Sequence, residues 1–188
     1  RGRAQYRQHP GRLGWSDGGA GRHGRRDGGR GGAAGAEAQL TGELAVCAGS
    51  CGPGNLHLIN GLYDCQRSNA PVLAIAAHIP TPEIGGDYFQ ETHPNVLFKE
   101  CSYYCEIISS VEQMPRILKI AMQTAIAKRG VAVIVISGDL ALQEMRMPTS
   151  LEWVTTALAM PIPPEPVLQD IAQQLNIAKK VTIFCGID

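Results

Sequence analysis

The sequence predicts an α/β fold, a doubly wound parallel sheet covered by helices on both faces. Val72–His78 and residues 131–136 are continuous apolar runs of strand length. Such runs are typical of parallel strands that are buried on both faces. Segments with helical spacing of apolar residues lie between the predicted strands. Strands that alternate with helices along a chain favour this architecture, because each helix returns the chain to the start of a parallel neighbour.

The first predicted elements surround a glycine-rich turn. Residues 33–40 are rich in helix formers, and residues 44–48 form a short apolar strand. Gly49, Gly52 and Gly54 then interrupt any regular structure. We expect Asn55 to cap a helix over residues 55–66, where apolar residues recur at helical spacing.

The second half of the predicted sheet follows a loop. Residues 79–95 contain too many glycines and prolines for a regular element. Residues 102–108 are strand-like, and Ser110 begins a helix that runs to Lys128. The buried strand over residues 131–136 completes a predicted domain over residues 33–140.

The pattern changes after residue 140. Residues 141–166 contain methionines and prolines without periodicity, which predicts a linker. Residues 167–175 form a short amphipathic helix and residues 181–185 a strand. We expect residues 167–188 to be the truncated start of a second α/β domain, so that the chain is a fragment.

The first 32 residues differ in composition from the rest. They contain eight Arg, no Lys and two acidic residues, for a net charge of +6, and eleven of the 22 Gly. Their few apolar residues lack periodicity, so we expect disorder. The abrupt change at Ala33 is consistent with translation of a GC-rich gene out of frame. Binding of RNA by the Arg- and Gly-rich segment is the functional alternative.

The remaining composition indicates a cytoplasmic protein. No apolar run is long enough to span a membrane, and no signal peptide is recognisable. The six Cys lie within apolar segments. Two C-x3-C pairs, Cys47 with Cys51 and Cys101 with Cys105, are a possible zinc site, but their apolar surroundings favour reduced core thiols.

The glycine-rich turn is a candidate binding site. It lacks the Gly-Lys-Ser/Thr of a phosphate-binding loop and the third glycine of a dinucleotide fingerprint. Contact of a flat ring with Pro53, Gly54 and the first helical turn is at least as plausible as a phosphate cradle. His57 either points into the crevice or bonds a neighbouring carbonyl.

The second candidate site is the loop before residue 95. Phe89, Gln90 and Glu91 place a ring, an amide and a carboxylate side by side after a strand. Gln90 can hydrogen-bond a substrate carboxylate or a cofactor. The alternative is that Phe89 packs on the sheet and Glu91 is solvated.

These motifs carry a family resemblance. GPGNLH, INGLYDC and YFQE, at these separations, resemble the amino-terminal pyrimidine-binding domain of thiamine-diphosphate-dependent enzymes. Within that superfamily the chain is most similar to the FAD-dependent pyruvate oxidases, specifically the quinone-dependent pyruvate dehydrogenase of bacteria. The resemblance is close from Ala33 to about residue 140 and looser beyond it.

The resemblance implies roles for five residues. Pro53, Gly54 and His57 match the loop that lies against the aminopyrimidine ring. Phe89 and Gln90 match the pair that reaches the reaction centre, with Gln90 as an assisting residue. His57 favours the pyruvate oxidase branch, since acetolactate synthases usually carry Asn there. The implied chemistry is oxidative decarboxylation of pyruvate with thiamine diphosphate, Mg²⁺ and FAD.

The resemblance has gaps. The glutamate that activates the cofactor corresponds to Asp27, to which we do not transfer the role. The signature for Mg²⁺ and diphosphate is absent, as is most of an FAD-binding domain, so we expect the chain to be inactive alone. The intact protein is expected to be a homo-oligomer that uses pyruvate and a quinone, does not bind nucleic acid, and contacts the membrane only peripherally. The alternatives are an acetolactate synthase-like carboligase or decarboxylase, and a non-catalytic protein with an RNA-binding tail.

Overall fold

The fold is built on one sheet of four parallel strands. The computed structural model describes residues 23–145 and 162–184, with side chains from residue 29 onward. The strands are β1 (Ala45–Gly49), β2 (Val72–His78), β3 (Tyr104–Ile107) and β4 (Val131–Ser137). Their spatial order is β1-β2-β4-β3, so the two longest strands occupy the centre. The predicted parallel α/β architecture is confirmed.

Helices cover both faces of this sheet. The bounds of the helices are α1 (His23–Thr41), α2 (Pro53–Arg67), α3 (Pro94–Leu97), α4 (Met114–Lys128), α5 (Gly138–Ala141) and α6 (Glu165–Ile177). Residues of α1 and α2 pack with β1, β2 and β4 in one apolar cluster, and residues of α4 pack against the opposite face in another. Each valine or leucine so buried contributes about 1.5–3 kcal/mol, which explains the uninterrupted apolar sequence of the central strands.

The register of the two central strands places their carboxyl ends together. They pair over their whole length, from Val72 beside Val131 to His78 beside Ser137. β1 ends earlier, with Gly49 beside Ala76. The loops that follow β1, β2 and β4 therefore emerge at one edge of the sheet.

Helix α1 begins earlier than the sequence predicts. We expected no regular structure before Ala33, but the helix starts at His23. The reason is tertiary contact: a Cβ at Gly61 would lie 2.5 Å from the Gly32 nitrogen, and the Cys65 thiol donates to the Gly31 carbonyl over 3.4 Å. Close packing on α2 compensates for the low helix propensity of these glycines. Residues 1–22 lie outside the described residues.

Other boundaries differ from the predictions by smaller amounts. Helix α2 begins at Pro53 instead of Asn55. The loop after β2 contains a 3₁₀ turn, Thr81–Glu83, and the short helix α3. The helix predicted over residues 167–175 is present as α6, but residues 181–184 form no strand. Most of the predicted linker, residues 146–161, and Cys185 lie outside the described residues.

No helix in the described parts of the chain is both long and apolar enough to cross a membrane.

Candidate functional site

The candidate site lies where the loops meet at the carboxyl edge of the sheet. Helix α2 begins there at Pro53, directly after the turn that leaves β1. Its N-cap is Gly52, with φ 61°, and no side chain caps the helix. The first backbone N–H groups of α2 are therefore not occupied by a side-chain cap, which is the usual arrangement for binding a polar group at a helix start.

Gly52 connects the two candidate segments. A Cβ on Gly52 would lie 2.7 Å from the Gln90 Cβ and 3.0 Å from the Gln90 carbonyl oxygen. The Cys51 thiol also donates to the Gln90 side-chain oxygen over 3.5 Å. The turn after β1 and the loop after β2 are therefore in direct contact, and only glycine fits at their contact point.

The five predicted site residues have different environments. Pro53, His57 and Gln90 are exposed, and Gly54 is buried beneath the turn. Phe89 is 81% exposed, so its ring does not pack on the sheet as the alternative interpretation proposed. Gln90 has φ 67°, a left-handed conformation that is unusual for a residue with a side chain. The structure brings Gln90 to the glycine turn; the cofactor roles of all five remain predictions.

Glu91 is half-buried, and its carboxylate is hydrogen-bonded within the loop. One carboxylate oxygen accepts from the Gly85 amide at 2.6 Å and the other from the Tyr88 amide at 3.1 Å. The Gly85 hydrogen bond is the main cause that holds the pKa of the Glu91 carboxyl below its usual range. Glu91 thus closes the turn that precedes Gln90.

The sequence predicted that Asn55 caps α2, and this prediction is wrong. Asn55 is instead a buried residue that connects two elements of the fold. Its side-chain amide donates to the Ala77 carbonyl at 2.8 Å, and the residue is 0% exposed. Its Oδ1 has no hydrogen-bond partner among the described residues. Because α2 starts two residues earlier, Asn55 lies within the helix, where it ties α2 to the end of β2.

His78 is a buried polar residue that the sequence analysis treated only as part of a strand. It ends β2, is 6% exposed, and its Nδ1 has no partner among the described residues. Burial lowers the pKa of His78, while the negative charge of Glu91 partly opposes that shift. In the sequence, the only indication that His78 is buried is its position at the end of an apolar strand.

Asp139 is the second residue that sequence reasoning missed. It lies in α5, directly after β4, and its Oδ1 accepts from both the Thr81 amide at 2.8 Å and the Thr81 hydroxyl at 3.1 Å. The Thr81 amide is the main cause that lowers the pKa of Asp139. Asp139 therefore fixes the start of the loop that carries Phe89 and Gln90.

The thiols lie mostly in the core. Cys47, Cys65 and Cys101 are buried, while Cys51 and Cys105 are half-buried. Burial raises the pKa of Cys47 and Cys105 to about 12 and that of Cys65 and Cys101 to about 11. Within residues 23–145 and 162–184 there is no group of three His, Cys, Asp or Glu side chains arranged to hold a metal ion.

Comparison with known proteins gives a consistent result. Residues 23–97 match the family profile described as "Thiamine pyrophosphate enzyme, N-terminal TPP binding domain". An uncharacterized 42.6 kDa protein of the isoamylase 3′ region in Pseudomonas amyloderamosa is 60% identical over 157 residues, 82% of this chain and 39% of that protein. The putative thiamine pyrophosphate-containing protein YdaP of Bacillus subtilis is 40% identical over 82% of this chain and 27% of its own length.

Enzymes of two named kinds are among the further relatives. The pyruvate oxidase of Lactiplantibacillus plantarum is 36% identical over 82% of this chain and 26% of its own length. Acetolactate synthases from Escherichia coli and from plants match at 28% to 31% identity. The chain spans between about a quarter and two fifths of the length of the first three relatives.

Proposed function

The chain belongs to the thiamine pyrophosphate-dependent enzymes and carries their N-terminal TPP-binding domain, and from this membership we propose that the Gly52 turn and the Phe89–Gln90 loop form one wall of the pocket for the cofactor's pyrimidine ring. The observation that supports this most directly is the contact between Gly52 and Gln90. It joins the segment that the family resemblance places against the ring to the segment that the resemblance places at the reaction centre.

The residues at this edge suit a flat ring with polar atoms at its rim. Pro53 and His57 are exposed at the start of α2, and the exposed ring of Phe89 offers an apolar surface. The Gln90 amide and the uncapped N–H groups of α2 can hydrogen-bond ring nitrogens. In this proposal Pro53, Gly54 and His57 hold the ring from the helix side, and Phe89 and Gln90 hold it from the loop side.

The chemistry is that of the cofactor. When bound, thiamine diphosphate supplies the carbon nucleophile that allows a 2-oxo acid to lose its carboxylate. The residues of this chain bind and orient the ring and exclude water from one side of it. In this proposal the Gln90 amide donates a hydrogen bond to a carboxylate or carbonyl oxygen of the substrate.

For the whole protein we propose oxidative decarboxylation of pyruvate, with FAD and Mg²⁺ as further cofactors and a quinone as the electron acceptor. The similarity to a pyruvate oxidase supports this assignment, as does His57. Carboligation of an acetolactate synthase type is the second candidate, because such enzymes also match. Asp27 is one methylene shorter than the family glutamate, and we therefore propose that this chain does not turn over pyruvate alone.

Ring binding can be tested with the full chain by NMR. The probe is thiamine diphosphate with Mg²⁺, and its isolated aminopyrimidine fragment is a second probe. We expect both to shift the backbone amide signals of Gly52, Gly54 and Gln90, at millimolar concentration if binding is weak. Absence of localised shifts at the solubility limit of both probes would overturn the proposal.

The reaction type is tested by a separate measurement. Pyruvate, thiamine diphosphate, Mg²⁺ and FAD are added to the full chain, with dye reduction and acetolactate formation followed in parallel. We expect neither product from the chain alone, and dye reduction without acetolactate from a full-length relative that carries the same domain. Dye reduction by the chain would refute its inactivity, and acetolactate as the main product would favour the second candidate.

We also propose that the whole protein is a homo-oligomer. Leu56 is 47% exposed and Val96 65% exposed, and together with Phe89 they leave apolar surface near the candidate site. Light scattering as a function of concentration tests this, and a monomer at every concentration would contradict it.

A further inference from the structure

The loop between β2 and α3 carries the exposed residues Phe89 and Gln90, yet it contains little regular structure. Its only helical element among the described residues is the 3₁₀ turn Thr81–Glu83. Gly85, Asp87 and Gln90 all have positive φ values, of 87°, 57° and 67°. A positive φ is uncommon for a residue with a side chain such as Gln90, so specific contacts are needed to maintain it.

Glu91 supplies the first set of contacts. Its two carboxylate oxygens accept from two different amides, Gly85 at 2.6 Å and Tyr88 at 3.1 Å. Its own amide donates to the Tyr88 carbonyl at 2.8 Å. Both carboxylate oxygens thus accept hydrogen bonds. Gln90 directly precedes Glu91 in the chain. The carboxylate therefore fixes the turn from which Gln90 reaches Gly52.

Asp139 supplies the second set of contacts, from another part of the fold. A single oxygen, Oδ1, accepts from both the amide and the hydroxyl of Thr81, at 2.8 Å and 3.1 Å. Asp139 follows β4, which is the neighbour of β2 in the sheet. The start of the loop is thus anchored to the end of the adjacent strand.

We infer that Glu91 and Asp139 are positioning residues that hold the loop carrying Phe89 and Gln90 so that Gln90 lies against the Gly52 turn, Glu91 through its hydrogen bonds to the Gly85 and Tyr88 amides and Asp139 through its hydrogen bonds to Thr81. They act on the loop and do not contact the ring. The inference rests on the proposed function for the importance of Gln90, but the positioning itself is a property of the unliganded chain.

The hydrogen bonds of the two carboxylates predict different effects of amide substitution. Both Thr81 hydrogen bonds go to one oxygen of Asp139, and an asparagine keeps one carbonyl oxygen, so D139N should retain the Thr81 contacts that D139A loses. A glutamine at 91 has only one oxygen, and its NH₂ group would face an amide donor. E91Q should therefore lose one of the two hydrogen bonds, and E91A should lose both. A role based on charge alone would instead make both amide variants defective.

The test measures amide hydrogen exchange and NMR signals of the full chain without ligand. In E91A we expect the Gly85 and Tyr88 amides to exchange about tenfold faster, as for loss of one hydrogen bond each, and in E91Q at least one of these amides to do so; in both variants the Gln90 signal should shift. In D139A the Thr81 amide should exchange faster, while D139N should match the wild type. Exchange at Ala74, in the centre of the sheet, reports whether the fold is intact, and E83Q is the control for removing a carboxylate from the same loop.

The second measurement is the thiamine diphosphate-induced shift of the Gln90 amide in the same variants. It should decrease in E91Q, E91A and D139A and persist in D139N and E83Q. Wild-type exchange in E91Q would overturn the role of Glu91, and equal defects in D139N and D139A would overturn that of Asp139. If the wild type shows no ligand-induced shift, the proposed function fails, while the exchange data on the free chain still decide the positioning role.

Discussion

At the scale of single residues, Gly52 satisfies two requirements at one backbone position. Its φ of 61° disfavours any side chain, and its α-carbon lies against Gln90, so that no space remains for a Cβ. A glycine that only terminates a helix meets the first requirement alone. Gly42, with φ 72° and nothing within 4 Å of an added Cβ, is such a glycine.

This comparison gives a prediction for Gly52→Ala. Both G52A and G42A introduce an unfavourable φ, but G52A also forces Gln90 away from the turn. We expect G52A to be less stable than G42A by about 1–3 kcal/mol, the usual cost of overpacking, and to lose the ligand-induced shift of Gln90. Urea denaturation and NMR titration of both variants measure this. Equal stability with intact ligand response would contradict the close contact.

The cysteines give a second prediction at this scale. Thiol alkylation requires the thiolate and access of the reagent. Burial raises the pKa of Cys47 to about 12, whereas Cys51 is half-buried in the turn. We expect a small alkylating reagent at pH 8 to modify Cys51 before Cys47, Cys65 or Cys101, as followed by mass spectrometry of the native chain. Modification of Cys47 first would show that the core opens before the turn reacts.

At the scale of elements, the packing of α1 on α2 depends on glycine in both helices. An added Cβ at Gly61 would meet the backbone of Gly31 and Gly32 at 2.5 to 2.8 Å, and backbone atoms cannot rotate away. One at Gly32 would meet nothing within 4 Å. The same substitution should therefore have opposite effects at these two positions.

We expect Gly61→Ala to destabilise the chain by about 1–3 kcal/mol through overpacking. Gly32→Ala should stabilise it by up to about 1 kcal/mol through helix propensity. Thermal unfolding of the two variants measures both effects. If residues 23–32 were disordered in solution, as composition alone predicts, G61A would also gain helix propensity and become more stable. A stabilised G61A would therefore contradict the position of α1.

At the scale of the whole molecule, several groups make stability depend on pH in the same direction. Burial lowers the pKa of His78 from its ordinary value of 6.5, and hydrogen bonds lower the pKa values of Glu91 and Asp139. In each case the folded chain binds fewer protons than the unfolded chain between the two pKa values. Their contribution is therefore present above the unfolded pKa and is lost as the pH falls.

We expect the free energy of unfolding to decrease first between about pH 7 and pH 5.5, where His78 titrates in the unfolded chain. The carboxyl groups add a second decrease below about pH 4.5. Denaturation at a series of pH values gives the free energy of unfolding as a function of pH. Between about pH 7 and pH 5.5 this free energy should fall less steeply for His78→Gln than for the wild type. H57Q is the exposed-histidine control. An unchanged slope in H78Q would exclude a contribution from the buried imidazole. Glu91 and His93 are the charged or titratable neighbours that act on His78, and both remain in these variants.

Local patterns in the sequence predicted most of the secondary structure, the parallel sheet and the family resemblance of this chain. Uninterrupted apolar runs identify buried strands because only a sheet covered on both faces tolerates them. The glycine-rich turn and the FQE segment were recognisable as candidate sites from residue types alone. Glycines allow a ligand to approach the backbone, and Gln90 and Glu91 offer hydrogen-bonding groups.

Tertiary structure alone decided how these segments meet. The hydrogen bond from Cys51 to Gln90 joins residues 39 apart in the chain, and those from Thr81 to Asp139 join residues 58 apart. These contacts exist because β2 lies between β1 and β4, an order that no local periodicity encodes. For the same reason Asn55 could be taken for a cap and residues 23–32 for disordered chain: their roles are set by neighbours on other elements, not by the adjacent sequence.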